Sequence, residues 1–157
     1  LQSFVDGEKA YKFNELRIFE HMASNTMQPY SDPAPDSVVV DTVAGVRRWF
    51  FNEMIDSIAV HFDSVQGDPS YILQGLQMVR PESGLVYHAL GVNGAATKSF
   101  LRSENFVEQG KYVSPDLVIF GLGNNDAYKP GNVWFPVEYG ARYVTLVGWL
   151  LETNPEC

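Results

Sequence analysis

One stretch constrains this chain more than any other. Leu117-Val118-Ile119-Phe120-Gly121-Leu122 is an unbroken apolar run, and it ends in Gly123-Asn124-Asn125-Asp126. Such a run, without polar alternation, predicts a strand covered on both faces in a parallel sheet. The sequence around it supplies helices to do the covering. Ala95 to Leu101 reads as a short helix, and Glu104 to Gln109 as another, closed by Gly110 at a left-handed cap. Val137 to Glu152 reads as a third, opened by Pro136 and stopped by Asn154-Pro155. Val144, Val147 and Leu151 fall on one face of it, and Gly140 and Tyr143 extend that stripe. Alternating strand and helix predicts an α/β unit from residue 91 to 157.

The first ninety residues have a different period. Ser57-Ile58-Ala59-Val60-His61-Phe62-Asp63 alternates strictly, with Ile58, Val60 and Phe62 on one face. Phe13 to Glu20, Ser37 to Val43, Val46 to Phe51, Ser70 to Val79 and Leu85 to Leu90 are further short strand candidates. Turn signals separate them at Ser31 to Asp36, Gln66 to Pro69 and Pro81 to Gly84. This spacing predicts an antiparallel β-sandwich over residues 1–90. The sequence holds no internal repeat and no low-complexity tract.

Composition narrows the partners. The net charge is 11 − 19 = −8, which argues against nucleic acid or an anionic membrane surface, since neither attracts an acidic chain. No apolar run approaches the length of a membrane span, and no signal peptide is visible. A single cysteine, Cys157, excludes an internal disulfide framework and a thiolate metal cluster. The chain opens at Leu1 and closes at Asn154-Pro155-Glu156-Cys157. We read both ends as cuts in a longer protein, with a processed or trimmed chain as the alternative.

Chemistry concentrates at two strand-to-helix junctions. In an open parallel sheet, ligands sit beyond the carboxyl ends of the strands, and Gly123-Asn124-Asn125-Asp126 lies at such an end. An Asn there can aim a neutral N–H at a developing oxyanion, while Asp126 can cap the next turn or hold the loop. A plain Asn/Asp turn accounts for the same residues. The second junction is Leu90-Gly91-Val92-Asn93-Gly94-Ala95-Ala96-Thr97. A Gly at that place can present its backbone N–H to a bound oxygen. It is not a phosphate loop, because the Gly spacing differs and the Lys-Ser/Thr ending is missing.

Together the two junctions resemble the SGNH (GDSL-type) hydrolases. The GxND element is matched by Gly123-Asn124-Asn125-Asp126, and the Gly element by Gly94 within Gly91-Val92-Asn93-Gly94-Ala95. The wording GLVYHALGVNGA followed by PDLVIFGLGNNDA is similar to a Bacteroidetes-type subgroup with a β-sandwich inserted between the Ser and Gly motifs. The resemblance implies a partial flavodoxin-like α/β unit over 91–157, preceded by the sandwich over 1–90. It implies attack by Ser on an ester carbonyl, often an acetyl group on carbohydrate or peptidoglycan. Gly94 N–H and the Asn125 amide would stabilise the oxyanion, with Asn93, Asn124 and Asp126 toward the substrate. No cofactor or metal is implied, and the parent protein would be periplasmic or secreted.

The departures from the family pattern are equally specific. No Gly-Asp-Ser motif occurs: Ser37 follows Pro35-Asp36, and Ser64 follows Phe62-Asp63. No DxxH pair occurs, and the only histidines are His21, His61 and His88. His61 falls on the polar face of its strand, and His88 in the strand before Gly91. The resemblance therefore implies an internal fragment carrying the oxyanion half of the site without nucleophile or base. A different class of reading is a non-catalytic carbohydrate-binding module. Carboxylate pairing for a glycosidase is not visible, and Asn124-Asn125-Asp126 alone is too few ligands for Ca²⁺. Trp134 and Phe135 could line a sugar-facing rim or anchor a loop.

Overall fold

The computed structural model describes residues 5–6, 9–21, 27–62, 71–128 and 136–157. Two compact units divide at Leu85/Val86. The first carries β1 (Val5–Asp6), β2 (Lys9–Ala10), β3 (Phe13–Glu20), β4 (Tyr30–Asp32), β5 (Ser37–Asp41), β6 (Val46–Ile55), β7 (Ala59–His61) and β8 (Leu73–Val79). The second carries α1 (Thr97–Phe100), α2 (Phe106–Val113), α3 (Asn124–Ala127) and α4 (Pro136–Thr153).

In the first unit β5, β6, β3 and β8 form one antiparallel sheet in that order. Leu16 lies opposite Trp49 on one side and Met78 on the other, and Ile18 lies opposite Arg47 and Leu76. Period two then collects Leu16, Ile18 and Trp49 on one face, where Phe13, Phe51 and Ile58 complete a buried cluster. A register shift between Phe13 and Glu15 turns the Phe13 ring to that face while Glu15 stays on the other. The β5–β6 hairpin closes on Asp41, whose Oδ1 accepts from the N–H groups of Val43 and Ala44 at 3.0 Å each. Gly45 completes that turn at φ 67°.

Charge is also buried here. Glu20 is fully buried; its carboxylate accepts from Arg47 Nε at 3.0 Å and from the Tyr71 hydroxyl. Burial, and then the hydrogen bond to Glu20, push the Tyr71 hydroxyl well above its ordinary value. On the opposite face Glu15 Oε1 accepts from Arg17 Nε and Arg48 Nε, each at 2.7 Å. Burial alone would raise the Glu15 carboxyl; hydrogen bonds and charge from Arg48 and Arg17 outweigh it and hold the group below its ordinary value.

The expected fold class is corrected on both counts. The first unit is one four-stranded antiparallel sheet with two separate two-stranded ribbons, β1–β2 and β4–β7, rather than a sandwich of two full sheets. The second unit contains no strand among the described residues, so it is not a partial flavodoxin-like α/β unit. Leu117 to Leu122 does alternate, with Leu117 and Ile119 77% and 85% exposed and Val118, Phe120 and Leu122 half-buried. It pairs with no strand, and a parallel strand cannot exist without a neighbouring ladder. Leu85 to Leu90 likewise forms no strand and is exposed throughout.

The helices of the second unit hold together only in part by the residues expected. Gly110 lies inside α2, and Ser114 takes the left-handed position after it at φ 43°. The absence of a side chain at Gly110 serves contact with α4, because a Cβ there would stand 2.4 Å from Thr153 Cγ2. On α4 the stripe of Val144 and Leu151 faces outward, at 72% and 46% exposed, while Leu146 is buried. Phe106 packs on Trp149 and Phe120 on Tyr143, with ring centroids 5.5 and 4.9 Å apart. Asn154 Nδ2 donates to Pro115 O at 3.0 Å and ties the end of α4 to the segment after α2.

Candidate functional site

The two junctions singled out in the sequence meet inside the second unit. Gly94 has φ 78° and Gly123 has φ 124°, conformations that a side chain would strain. At Gly123 a Cβ would also stand 2.9 Å from Tyr139 Oη, and that hydroxyl donates to Leu122 O at 3.1 Å. Gly123 is thus where the chain reverses from the apolar run into α3, with Tyr139 of α4 packed against the corner.

Two consecutive side chains of α3 then reach back to the other junction. Asn125 Nδ2 donates to Ala95 O at 2.8 Å. Asp126 is buried, and its Oδ2 accepts from the Thr97 N–H at 2.9 Å while its Oδ1 accepts from Thr97 Oγ1 at 2.5 Å. The Asp126 carboxylate therefore caps the first residue of α1 across 29 positions of sequence. Arg142 of α4 stands over it, with Nη1 3.8 Å from Oδ1, and donates through Nη2 to Glu138 at 3.0 Å.

What remains available is a pair of neutral donors. An amide carries two N–H bonds, and Ala95 takes one from Asn125. Gly94, the residue before Ala95, is exposed, and its N–H has no partner among the described residues. Asn93 and Asn124 are both exposed. A concavity of about 350 Å³ opens on the Gly94 side, lined by Val92, Asn93, Gly94, Ser99, Phe100 and Ser103. Ser99 Oγ already accepts from the Ala96 N–H at 3.2 Å. Of the residues placed toward the substrate, Asp126 alone is turned inward and occupied by protein.

Sequence reasoning missed Thr97 and Arg142, both of which hold this arrangement. The available signal was a Thr at the first position of a short helix, where an orphan N–H calls for an acceptor. Among the described residues of the second unit, Ser99 and Ser103 line the concavity and no histidine does. His88 is exposed and outside any strand, His61 lies on β7, and Ser37 opens β5. Ser64, Trp134 and Phe135 lie outside the described residues. Among the described residues no group of acidic, His or Cys side chains is placed to hold a metal ion, and no helix is long and apolar enough to cross a membrane.

No protein-family model, curated protein or solved structure matches the chain.

Proposed function

We propose that this chain supplies the oxyanion-stabilising half of an SGNH-type serine ester hydrolase acting on carboxylic, chiefly acetyl, esters of carbohydrate or peptidoglycan. The observation that carries the reading is the coupling of its two donors. Asn125 bonds to Ala95, the residue next to Gly94, so its amide and the Gly94 N–H belong to one hydrogen-bonded corner. Neutral donors fixed in place before the reaction stabilise a tetrahedral oxyanion without needing to reorient as charge develops. The Ser nucleophile and His base come from sequence outside this chain, in a periplasmic or secreted parent. A parent frame with Gly-Asp-Ser upstream and DxxH downstream supports this reading; a frame with neither removes it.

The kinetic test uses the parent enzyme and two neighbouring amides. Asn125→Ala lowers kcat by roughly 10²–10³, with KM little changed, because the donor acts in the transition state. Asn124→Ala, which makes no such contact to Ala95, costs far less. Equal small losses in the two variants return the segment to an ordinary turn.

A further inference from the structure

The concavity beside Gly94 has a lining that decides which half of an ester it can hold, an inference that rests on the ester hydrolase reading. The lining comes from two segments. The first is a turn closed by Ala95 N–H donating to Val92 O at 3.0 Å, with Asn93 and Gly94 exposed at its tip. The second is α1 and the turns that continue it, where Arg102 N–H donates to Ser99 O at 3.3 Å and Ser103 N–H to Phe100 O at 3.1 Å. Ser99, half-buried Phe100 and Ser103 all line the concavity. The Ser99 oxygen accepts from Ala96 N–H, which leaves its own O–H to donate. The Asn93 amide and the Ser103 hydroxyl have no partner among the described residues.

Three neutral hydrogen-bonding side chains therefore share this lining with Phe100 and Val92, and no charged side chain does; Lys98 and Arg102 adjoin the lining residues in sequence without lining it. An acyl chain seated here would strip water from Asn93, Ser99 and Ser103 and return no hydrogen bond. A carboxylate or phosphate would lose hydration with no cation to meet it. A sugar ring suits both parts of the lining. Its hydroxyls pair with an amide and two serines, and its C–H surface lies against apolar side chains. The volume of about 350 Å³ is at the lower end of the roughly 300–1,000 Å³ of small-molecule sites, room for one ring. We propose that this concavity is the alcohol subsite: it seats one neutral sugar ring that carries the ester, and the acyl group lies outside it. Gly94 belongs to the lining, and so does Ala95, whose carbonyl holds Asn125. A ring seated here brings its ester beside both donors.

The test is a titration of the full chain, followed by backbone amide shifts, with methyl β-glucoside, methyl α-mannoside and methyl N-acetyl-β-glucosaminide. At least one of the three gives saturable shifts at residues 92–95 and 99–103, with Kd on the order of 10 mM, as suits a small ligand on an open site. Methyl β-glucuronide, which adds a carboxylate, binds at least roughly 10-fold more weakly. Methyl acetate, the acyl half alone, gives no saturable shift at residues 99–103. Asn93→Ala and Ser103→Ala, both at exposed positions, each weaken glycoside binding by roughly 3–10-fold, one hydrogen bond apiece. Unchanged amide shifts in α2 and α4 show that each variant is folded. No saturable shift from any glycoside up to about 200 mM, some 20-fold above the expected Kd, overturns the proposal. So does equal binding of the glucuronide, a methyl acetate response at residues 99–103, or glycoside binding that survives the double variant. The two readings fail separately. Missing glycoside shifts beside an Asn125→Ala loss of kcat in the parent remove the subsite alone. Glycoside shifts in a chain whose parent frame lacks both the Ser and the His motif overturn its role as the alcohol half of an ester site.

Discussion

The carboxylate of Asp126 serves one threonine, so removing it has a calculable effect. Asp126→Ala deletes the acceptor of the Thr97 N–H and of the Thr97 hydroxyl, at 2.9 and 2.5 Å. Thr97 is fully buried, so water does not replace what is lost. An unsatisfied buried donor costs about 1–3 kcal/mol, and two of them, one able to rotate, cost about 3 kcal/mol together. That is a factor of roughly 100 in the folding equilibrium of the second unit. A smaller contribution opposes it: the alanine no longer buries a charge that Arg142 meets only at 3.8 Å. Asp126→Asn separates the two effects, because it keeps one acceptor oxygen and drops the charge; its loss is about 1 kcal/mol. Thr97→Val keeps the shape and the backbone bond and loses only the hydroxyl, for about 1.5 kcal/mol. Urea unfolding, with hydrogen exchange of peptides spanning residues 95–101 and 124–127, reads all three. An Asp126→Ala chain within 0.5 kcal/mol of wild type, a margin typical of unremarkable surface changes, would refute the claim that this carboxylate staples the two junctions.

Two further outcomes follow from geometry elsewhere. Gly110→Ala in an exposed helix interior would stabilise by about 1 kcal/mol, but here the new Cβ meets Thr153 Cγ2 at 2.4 Å and Cβ at 3.3 Å. We expect a net loss of about 1–2 kcal/mol by urea unfolding, partly recovered in the double variant with Thr153→Ser; net stabilisation would contradict the close packing of α2 on α4. Glu15 has a depressed folded-state value, so its contribution to stability is present above its ordinary pKa of 4.5 and is lost as pH falls through the lower folded value. Glu15→Gln should flatten the acid side of the stability profile below pH 4.5, and an unchanged acid limb would count against the Arg17–Glu15–Arg48 cluster.

The antiparallel strands with the strongest patterning were legible in the sequence. Phe13 to Glu20 and Val46 onward carry large residues whose burial decides their place in the sheet. Ser31 and Asp32 of the Tyr30–Asp32 strand fall inside the turn signal of residues 31–36. A strand of three residues pairs through tertiary context and leaves almost no periodic trace. The helical segments were legible and their faces only in part. Of the expected α4 stripe, Tyr143 does pack on Phe120 and Val147 and Gly140 are half-buried, while Val144 and Leu151 are exposed; the covered side also takes in Leu146 and Trp149. Leu117 to Leu122 misled most, since an apolar run announces that it can be covered and says nothing of what is there to cover it.

The same run explains why the two amides and the carboxylate follow it so abruptly. One side of the run rests on α4 through Phe120 and Tyr143. Its last carbonyl, at Leu122, is held by the Tyr139 hydroxyl. The segment is thereby fixed up to the atom at which Gly123 reverses it, and α3 starts from a defined point. Two adjacent residues on a short helix project in different directions, and here they divide the work. Asp126 goes inward to Thr97 and fixes the distance between the junctions. Asn125 goes outward to Ala95 and keeps a second N–H at the surface beside Gly94. The roles are unequal: a carboxylate at 125 has no N–H to donate to Ala95, and an amide at 126 keeps one acceptor oxygen and loses the second, which takes the shorter of the two bonds from the Thr97 N–H. The order Asn-Asp at the end of an apolar run is therefore the part of the motif with the most physical content. Asn125→Asp is its most selective test, because it exchanges a donor for an acceptor at nearly constant shape and leaves the Asp126 staple in place.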